Sequence, residues 1–383
     1  MKKIKIIHII TKLELGGAQQ NTLYTVENLN KEIFEALLLC GKGGILDEMA
    51  SKNLKGKINF IKNLVREVSP LNDLIALLRL IKILKKEKPS IIHTHSSKAG
   101  ILGRIAGFLS GVPIIIHTYH GFGFNEHQNF LVRNFYIFLE KVVSLLTDVL
   151  IFVSRANIET AKRYRIGSKA KYIIIRSGIK LSNFSKEKDK RFAAKIFPKI
   201  TQSSKVIVSV GNLKPQKNPC DFIKIASEVI RSQRDVYFIY AGGGSEEEMI
   251  YYRKIIEENN ISDRCIITGW ISDIHQVYRS ADIFLLTSLW EGLPRSLIEA
   301  VASGSVPVCY ETDGVKDIIK DGENGFLINK FDWINAAERI KNLCDDELLY
   351  EGMKKNIELI DLHEFDIDFM VKQQETLYLD LLK

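Results

Sequence analysis

Two carboxylates, Glu291 and Glu299, bracket the stretch Gly292-Leu293-Pro294-Arg295-Ser296-Leu297-Ile298. The apolar run at 283–287 reads as a buried parallel strand, and residues 294–303 read as the helix that follows it. Glu291 then lies in a strand-to-helix loop. Pro294 suits the first helical position, so the amides around residues 293–296, with Gly292 and Ser296 beside them, point out of a helix end that attracts anions. Arg295 falls in the first turn, where the helix dipole disfavours a cation by about 0.3–1 kcal/mol unless an anion is bound. Its position points to phosphate. Glu299 lies more than a turn further in, where its carboxylate can accept hydrogen bonds from hydroxyls of the same ligand, as a ribose would offer. The competing reading is a solvated helix carrying two surface acids.

Four further constellations accompany this pair. In Leu13-Glu14-Leu15-Gly16-Gly17-Ala18-Gln19, two glycines stand where a loop enters a helix, which lets backbone N–H groups approach a phosphate. Their spacing is neither a dinucleotide-binding nor a P-loop fingerprint. His93, His95, His117 and His120 fall at strand ends, but residues 88–125 hold no Asp or Glu, which disfavours a mixed metal site there. Neutral imidazoles can instead bond sugar hydroxyls or leaving-group oxygens, and His120, followed by Gly121, is the candidate singled out. Asn212 and Lys217 follow the strand-like run 205–210, where a lysine can neutralise a departing pyrophosphate. The turns around Gly242 and Gly269-Trp270-Ile271 could let a flat base lie against the backbone. Ligand-free turns and satisfied structural histidines are the alternatives. Asp366-Ile367-Asp368 is read as a chance D-x-D match.

These residues need a scaffold that gathers strand ends. The 383 residues are too many for one compact α/β unit, and 46% hydrophobic with 26% charged residues is a soluble globular composition. Strand-like runs at 4–10, 35–40, 58–61, 91–95, 114–119, 149–153 and 172–175 alternate with helix-length segments. After a polar stretch at 182–190, read as a linker, runs at 205–210, 236–241, 265–268, 283–287, 306–309 and 326–328 repeat the pattern. The expected fold class is α/β: two doubly wound Rossmann-like domains, residues 1–183 and 184–361, facing across a cleft, with a last helical segment in 362–383.

Five cysteines without a C-x-x-C pair indicate reduced thiols in a cytoplasm, and the start Met1 to His8 reads as a first strand rather than an export signal. No apolar run reaches the length of a membrane span. Residues 1–183 carry 28 Lys+Arg against 13 Asp+Glu, net +15, whereas residues 184–383 carry 26 against 33, net −7. A basic first half is expected to face an anion such as a membrane surface or a lipid pyrophosphate; nucleic acid is the weaker choice, because no aromatics interleave the lysines. The apolar stripe Leu131, Phe135, Phe138, Leu139, Val142 and Leu146 predicts a core-facing helix, with a membrane-surface role as the alternative.

Taken in order, these motifs resemble the retaining family 4 glycosyltransferases of the GT-B fold over nearly the whole chain. Leu15-Gly16-Gly17-Ala18-Gln19 resembles the family's donor loop, His120-Gly121 its active-site histidine, Lys217 its phosphate-binding lysine, and Glu291 with Glu299 its pair of acids. The resemblance implies that His120 and Glu291 contact the transferred sugar, that Glu299 binds the ribose, and that the amides of Gly292 and Leu293 help hold sugar and diphosphate. It also implies a last helix that packs back on the first domain, and an acceptor bound mainly in that domain. Asn212 stands where the family usually has an arginine, and Ser177 and Lys180 replace a common asparagine and aspartate. Tyr119-His120-Gly121-Phe122-Gly123-Phe124 is similar to the branch that builds capsule and other surface polysaccharides.

The expected reaction is transfer of a sugar from a nucleoside diphosphate donor, a UDP-sugar, to a hydroxyl of a lipid-linked saccharide or oligosaccharide, with retention and with no metal or cofactor. The protein is expected in the cytoplasm, peripheral on the inner face of the plasma membrane. A sugar-nucleotide epimerase of similar fold is the alternative enzyme; a two-domain ligand-binding protein and a nicotinamide dehydrogenase are further rivals.

Overall fold

The structure, a computed structural model, describes residues 3–383. Met1 and Lys2, part of the start read as a strand, lie outside the described residues. The chain divides into two compact units, one running to Gly178 and including Glu364–Lys383, the other Ile179–His363.

The first unit is built on seven parallel strands: β1 (Ile4–Lys12), β2 (Phe34–Gly41), β3 (Ile58–Phe60), β4 (Ile91–His95), β5 (Ile114–Tyr119), β6 (Val149–Phe152) and β7 (Lys171–Ile174), in the order β3-β2-β1-β4-β5-β6-β7. Helices cover both faces, so β1 can be apolar on consecutive residues, and Ile6, Ile7, Ile9 and Ile10 are all fully buried. The second unit has β8 (Lys205–Val210), β9 (Val236–Ala241), β10 (Cys265–Gly269), β11 (Ile283–Leu286), β12 (Val306–Tyr310) and β13 (Phe326–Ile328), in the order β10-β9-β8-β11-β12-β13. Each order reverses once, between β1 and β4 and between β8 and β11. Loops leaving those strands diverge there and open the crevice in which doubly wound sheets bind ligands.

The stretch 182–190 is not a free linker, and the unit boundary falls after Gly178. Lys188 Nζ donates to Ser303 O at 2.8 Å and Ser305 Oγ at 3.1 Å, and Lys190 Nζ lies 3.1 Å from Asp282. Lys188 thereby serves carbonyls at the end of the helix Arg295–Ala302, where a cation suits the dipole. The final helix, Ile367–Asp380, lies in the first unit. Asn30 N donates to Glu375 at 2.6 Å, and the Tyr378 hydroxyl reaches His93 Nδ1 at 2.6 Å.

The helix Phe130–Ser144 overturns the core-facing expectation. It buries Ile137, Glu140, Val143 and Ser144, while Leu131, Phe135 and Phe138 are 75%, 58% and 60% exposed. The cause is charge. Arg104, fully buried on the helix Ser97–Leu109, places Nη2 2.7 Å from Glu140 Oε2, and the Tyr119 hydroxyl donates to the same oxygen at 2.6 Å. A guanidinium in that position demands its carboxylate, which turns the Glu140 side inward and the apolar stripe outward. Glu140→Ala is expected to cost about 3–5 kcal/mol in urea denaturation by orphaning Arg104, whereas Phe138→Ser should stay within about 0.5 kcal/mol. A Phe138→Ser loss as large as that of Glu140→Ala would restore the core-facing orientation.

Candidate functional site

In the second unit the loops leaving β8 and β11 converge. Lys217 closes a short 3-10 turn, Pro215–Lys217, and its Nζ lies 2.5 Å from Glu291 Oε1. The loops are tied along their backbones as well: Leu289 N donates to Gln216 O at 2.8 Å, and Thr287 Oγ1 donates to Lys217 O at 2.9 Å. Pro294 sits one residue earlier than expected, as the N-cap of the helix Arg295–Ala302. Arg295 Nη2 lies 3.7 Å from Glu299 Oε1, and the Tyr278 hydroxyl donates to Glu299 Oε2 at 2.7 Å. Burial pushes the Glu299 carboxyl above the usual range, opposed by Arg295 and by the Tyr278 bond. Lys217, Glu291, Arg295 and Glu299 thus form two neighbouring ion pairs at the carboxyl edge of the sheet.

Several buried polar atoms on that edge have no hydrogen-bond partner among the described residues: Asn212 Oδ1 after β8, Ser288 Oγ after β11, Ser296 Oγ in the first helical turn and Thr312 Oγ1 after β12. Each such atom costs about 1–3 kcal/mol left unmade. Their clustering where a doubly wound sheet takes its ligand marks a polar site. Backbone geometry fits the same purpose. Gly314, with φ +74°, lies so close to the motif that a Cβ would meet Gly292 O at 2.5 Å and Leu293 Cα at 2.9 Å. Gly269 ends β10, Ile271 is half-buried beyond it, and the Trp270 indole lies against Gly243, where a Cβ would meet its Nε1 at 2.9 Å.

In the first unit, Gly16 caps the helix Gly17–Asn28 in an extended conformation open to any residue; what a Cβ would meet is the Gln19 side chain, at 2.6 Å. His120 follows β5, with its Nε2 3.2 Å from His95 Nδ1. The register pairs His8 with His93 and Thr94 with His117 on adjacent strands, so the histidines form a buried group rather than separate strand ends. Burial holds His8 down to about 3 and His93, His95 and His117 well below the ordinary histidine range, so all four are neutral. His8, His93 and His95 are close enough to ligate one ion, with ring nitrogens within 4.8 Å of one another. Both His93 nitrogens are engaged by hydroxyls, Tyr378 at 2.6 Å and Thr118 at 2.7 Å.

A cavity of about 570 Å³ opens beside these strands. Lys12 and Ser96 line its polar end together with the ion pairs Arg66–Glu14 and Lys98–Asp73, and Phe135 lines its apolar side. Ser96 adopts φ +63°, ψ 157°, a glycine-like conformation that costs about 1–3 kcal/mol, and is held there by Thr11 Oγ1 at 2.7 Å. Sequence reasoning missed Ser96, Tyr278 and this cavity. Tyr278 carries no motif, and the strain at Ser96 arises only once the end of β4 meets the helix Ser97–Leu109.

Two doubly wound units, one with this polar ligand edge, define a two-domain α/β protein, and comparison with known proteins fixes the family. Residues 15–183 match the profile described as Glycosyltransferase Family 4, and residues 191–359 that of Glycosyl transferases group 1. The chain is 33% identical to a UDP-Gal:alpha-D-GlcNAc-diphosphoundecaprenol alpha-1,3-galactosyltransferase of Escherichia coli, covering 99% of this chain and 98% of that one. It is 24% identical to the capsular polysaccharide biosynthesis glycosyltransferase CapM of Staphylococcus aureus, across 100% of this chain and 99% of that one. The chain therefore belongs to the family 4 glycosyltransferases and is a glycosyltransferase. Its fold is GT-B: the Anabaena HepE structure with UDP superposes with a TM-score of 0.81 at 18% identity, covering 98% of this chain and 100% of that one.

Proposed function

We propose that this glycosyltransferase moves a sugar from a UDP-sugar to a hydroxyl of a lipid-linked saccharide, with retention, during surface polysaccharide assembly at the inner face of the plasma membrane. The observation that carries the reading is the Lys217–Glu291 pair beside Arg295, Glu299 and the helix end at the β8/β11 switch point. In the scheme, the donor diphosphate takes Lys217, releasing Glu291 to bond the sugar. Arg295 and the amides of Leu293 and Ser296 share the charge that develops on the leaving diphosphate, so no divalent metal is needed. Asn212 Oδ1 and Ser296 Oγ gain partners, and Glu299 accepts from ribose hydroxyls, with Gly269 and Ile271 framing the base. From the first unit, the Gly16–Gly17 loop contributes amides and His120 contacts the sugar. Retention follows front-face attack within an ion pair, as the family resemblance implies.

The substrate classes draw support from the Escherichia coli relative, whose name specifies UDP-Gal and a diphosphoundecaprenol acceptor. The acceptor side draws support from the cavity of the first unit, where Lys12, Arg66 and Lys98 outnumber Glu14 and Asp73 and where the apolar wall, through Phe135, continues into an exposed apolar helix face. Among the described residues no helix is long and apolar enough to cross a membrane, so contact with lipid would be made by such surfaces.

UDP, but not NAD, should raise the melting temperature, and slow UDP-sugar hydrolysis should fall at least about 10-fold in Lys217→Ala and Glu299→Ala, the loss of one charged contact. Parent-like hydrolysis in both variants would refute the site. Flotation with anionic liposomes should recover the protein in a salt-sensitive manner, and Phe135→Ser with Phe138→Ser together should weaken it at least about 100-fold, since each buried aromatic contributes about 1.5–3 kcal/mol. Absence of binding would remove the peripheral-membrane reading.

A further inference from the structure

The candidate sugar-contacting histidine ends a chain of imidazoles that reaches into the core. His120 Nε2 lies 3.2 Å from His95 Nδ1, and His95 Nε2 lies 3.1 Å from His8 Nδ1. His8 and His95 come from β1 and β4, the two strands at the switch point of the first sheet, and both are buried. His8 Nε2, at the inner end, is buried with no hydrogen-bond partner among the described residues. At the outer end His120 Nδ1 is 3.5 Å from Ser177 Oγ. His93 stands outside the chain, with both nitrogens committed to the Tyr378 and Thr118 hydroxyls; binding an ion with His8 and His95 would break one of those bonds.

A neutral imidazole has one N–H and one lone pair. With His8 and His95 each offering one N–H and one lone pair, the two linked bonds can run in only two ways, both donating toward His120 or both donating away from it. The partnerless atom at the inner end separates the two. If the chain donated inward, His8 Nε2 would be a buried N–H with no acceptor, and orphaned buried donors are rarer than under-satisfied acceptors. If it donates outward, His8 Nε2 is a bare lone pair, His8 Nδ1–H donates to His95 Nε2, and His95 Nδ1–H donates to His120 Nε2. His120 is left with its proton on Nδ1.

We propose that His8 and His95 are positioning residues that lock His120 in the neutral Nδ1–H tautomer, so that the atom it presents on the Ser177 side is a hydrogen-bond donor. The functional half of the proposal rests on the reading that His120 contacts the transferred sugar; the tautomer itself does not. The bond made by one ring nitrogen decides which atom of the other is offered. A fixed Nδ1–H suits a sugar oxygen that gains negative charge or must be held in one orientation during departure of the diphosphate. The opposite tautomer would offer a lone pair there and select for a hydroxyl proton.

The experiment uses full-length protein labelled with ¹⁵N-histidine, as wild type, His95→Phe, His8→Phe and His120→Ala. Imidazole ¹⁵N shifts report the tautomer, and UDP-sugar hydrolysis gives kcat and donor KM. In wild type, His120 should carry its proton on Nδ1. In His95→Phe it should move toward Nε2–H, with kcat reduced about tenfold, the loss of one oriented hydrogen bond, and KM within about twofold; His8→Phe should shift both readouts in the same direction. A wild-type His120 protonated on Nε2 overturns the proposal, as does an unchanged tautomer in His95→Phe. Should that variant fail to fold, the wild-type spectrum and His8→Phe decide between the same two tautomers. Full hydrolysis by His120→Ala would overturn the sugar-contact reading instead, leaving the spectra to judge the chain.

Discussion

The ion pair between Lys217 and Glu291 concentrates the physics of the second unit. The two groups come from loops after β8 and β11, strands adjacent in the sheet but separated by over seventy residues in the chain, so the contact exists only because the doubly wound order reverses there. Both side chains are mostly enclosed, and an enclosed charge is tolerated only when paired. The pair is therefore a placeholder of the right strength. It satisfies both groups without a ligand, and in the proposed scheme it is exchanged for a diphosphate that takes Lys217 and frees Glu291. The neighbouring Arg295–Glu299 contact, at 3.7 Å, has the looser geometry of a pair that can be rearranged.

A second buried charge shapes the first unit. Arg104 and Glu140 bond the helix Ser97–Leu109 directly to the helix Phe130–Ser144, and the hydroxyl of Tyr119, one residue before His120, donates to the same carboxylate. The same contact orders the strand end that carries the histidine and rotates the apolar stripe of the second helix outward. Leu71, Leu74 and Leu78 on the helix Pro70–Glu87 are likewise exposed, and the cavity beside these helices has a charged end and an apolar wall. Exposed apolar side chains grouped on helix faces are the kind of surface that partners or lipid cover.

Much of the architecture was legible because parallel strands covered on both faces read as unbroken apolar runs. Every strand of both sheets lies where such a run occurs. The helix start at Arg295 was legible for a local reason, a proline and an arginine after a strand. What failed was long-range. The stripe Leu131, Phe135, Phe138 and Val142 shows that a helix is amphipathic but not which face is inside, and only the partner of Arg104, 36 residues away, decides it. The stretch 182–190 looks like a linker from its polarity, yet Lys188 is drawn into the second unit by carbonyls that only a folded helix end exposes. The histidines were visible singly; their linkage depends on a register between β1 and β4 that no local pattern encodes.

In the proposed mechanism the Lys217–Glu291 pair holds the place of a diphosphate. A crystal structure with UDP tests it most directly. Lys217 Nζ is expected within about 3 Å of a phosphate oxygen, with Glu291 released from the lysine and Glu299 bonded to the ribose. UDP bound with the ion pair intact, or bound away from the loops after β8 and β11, would contradict it.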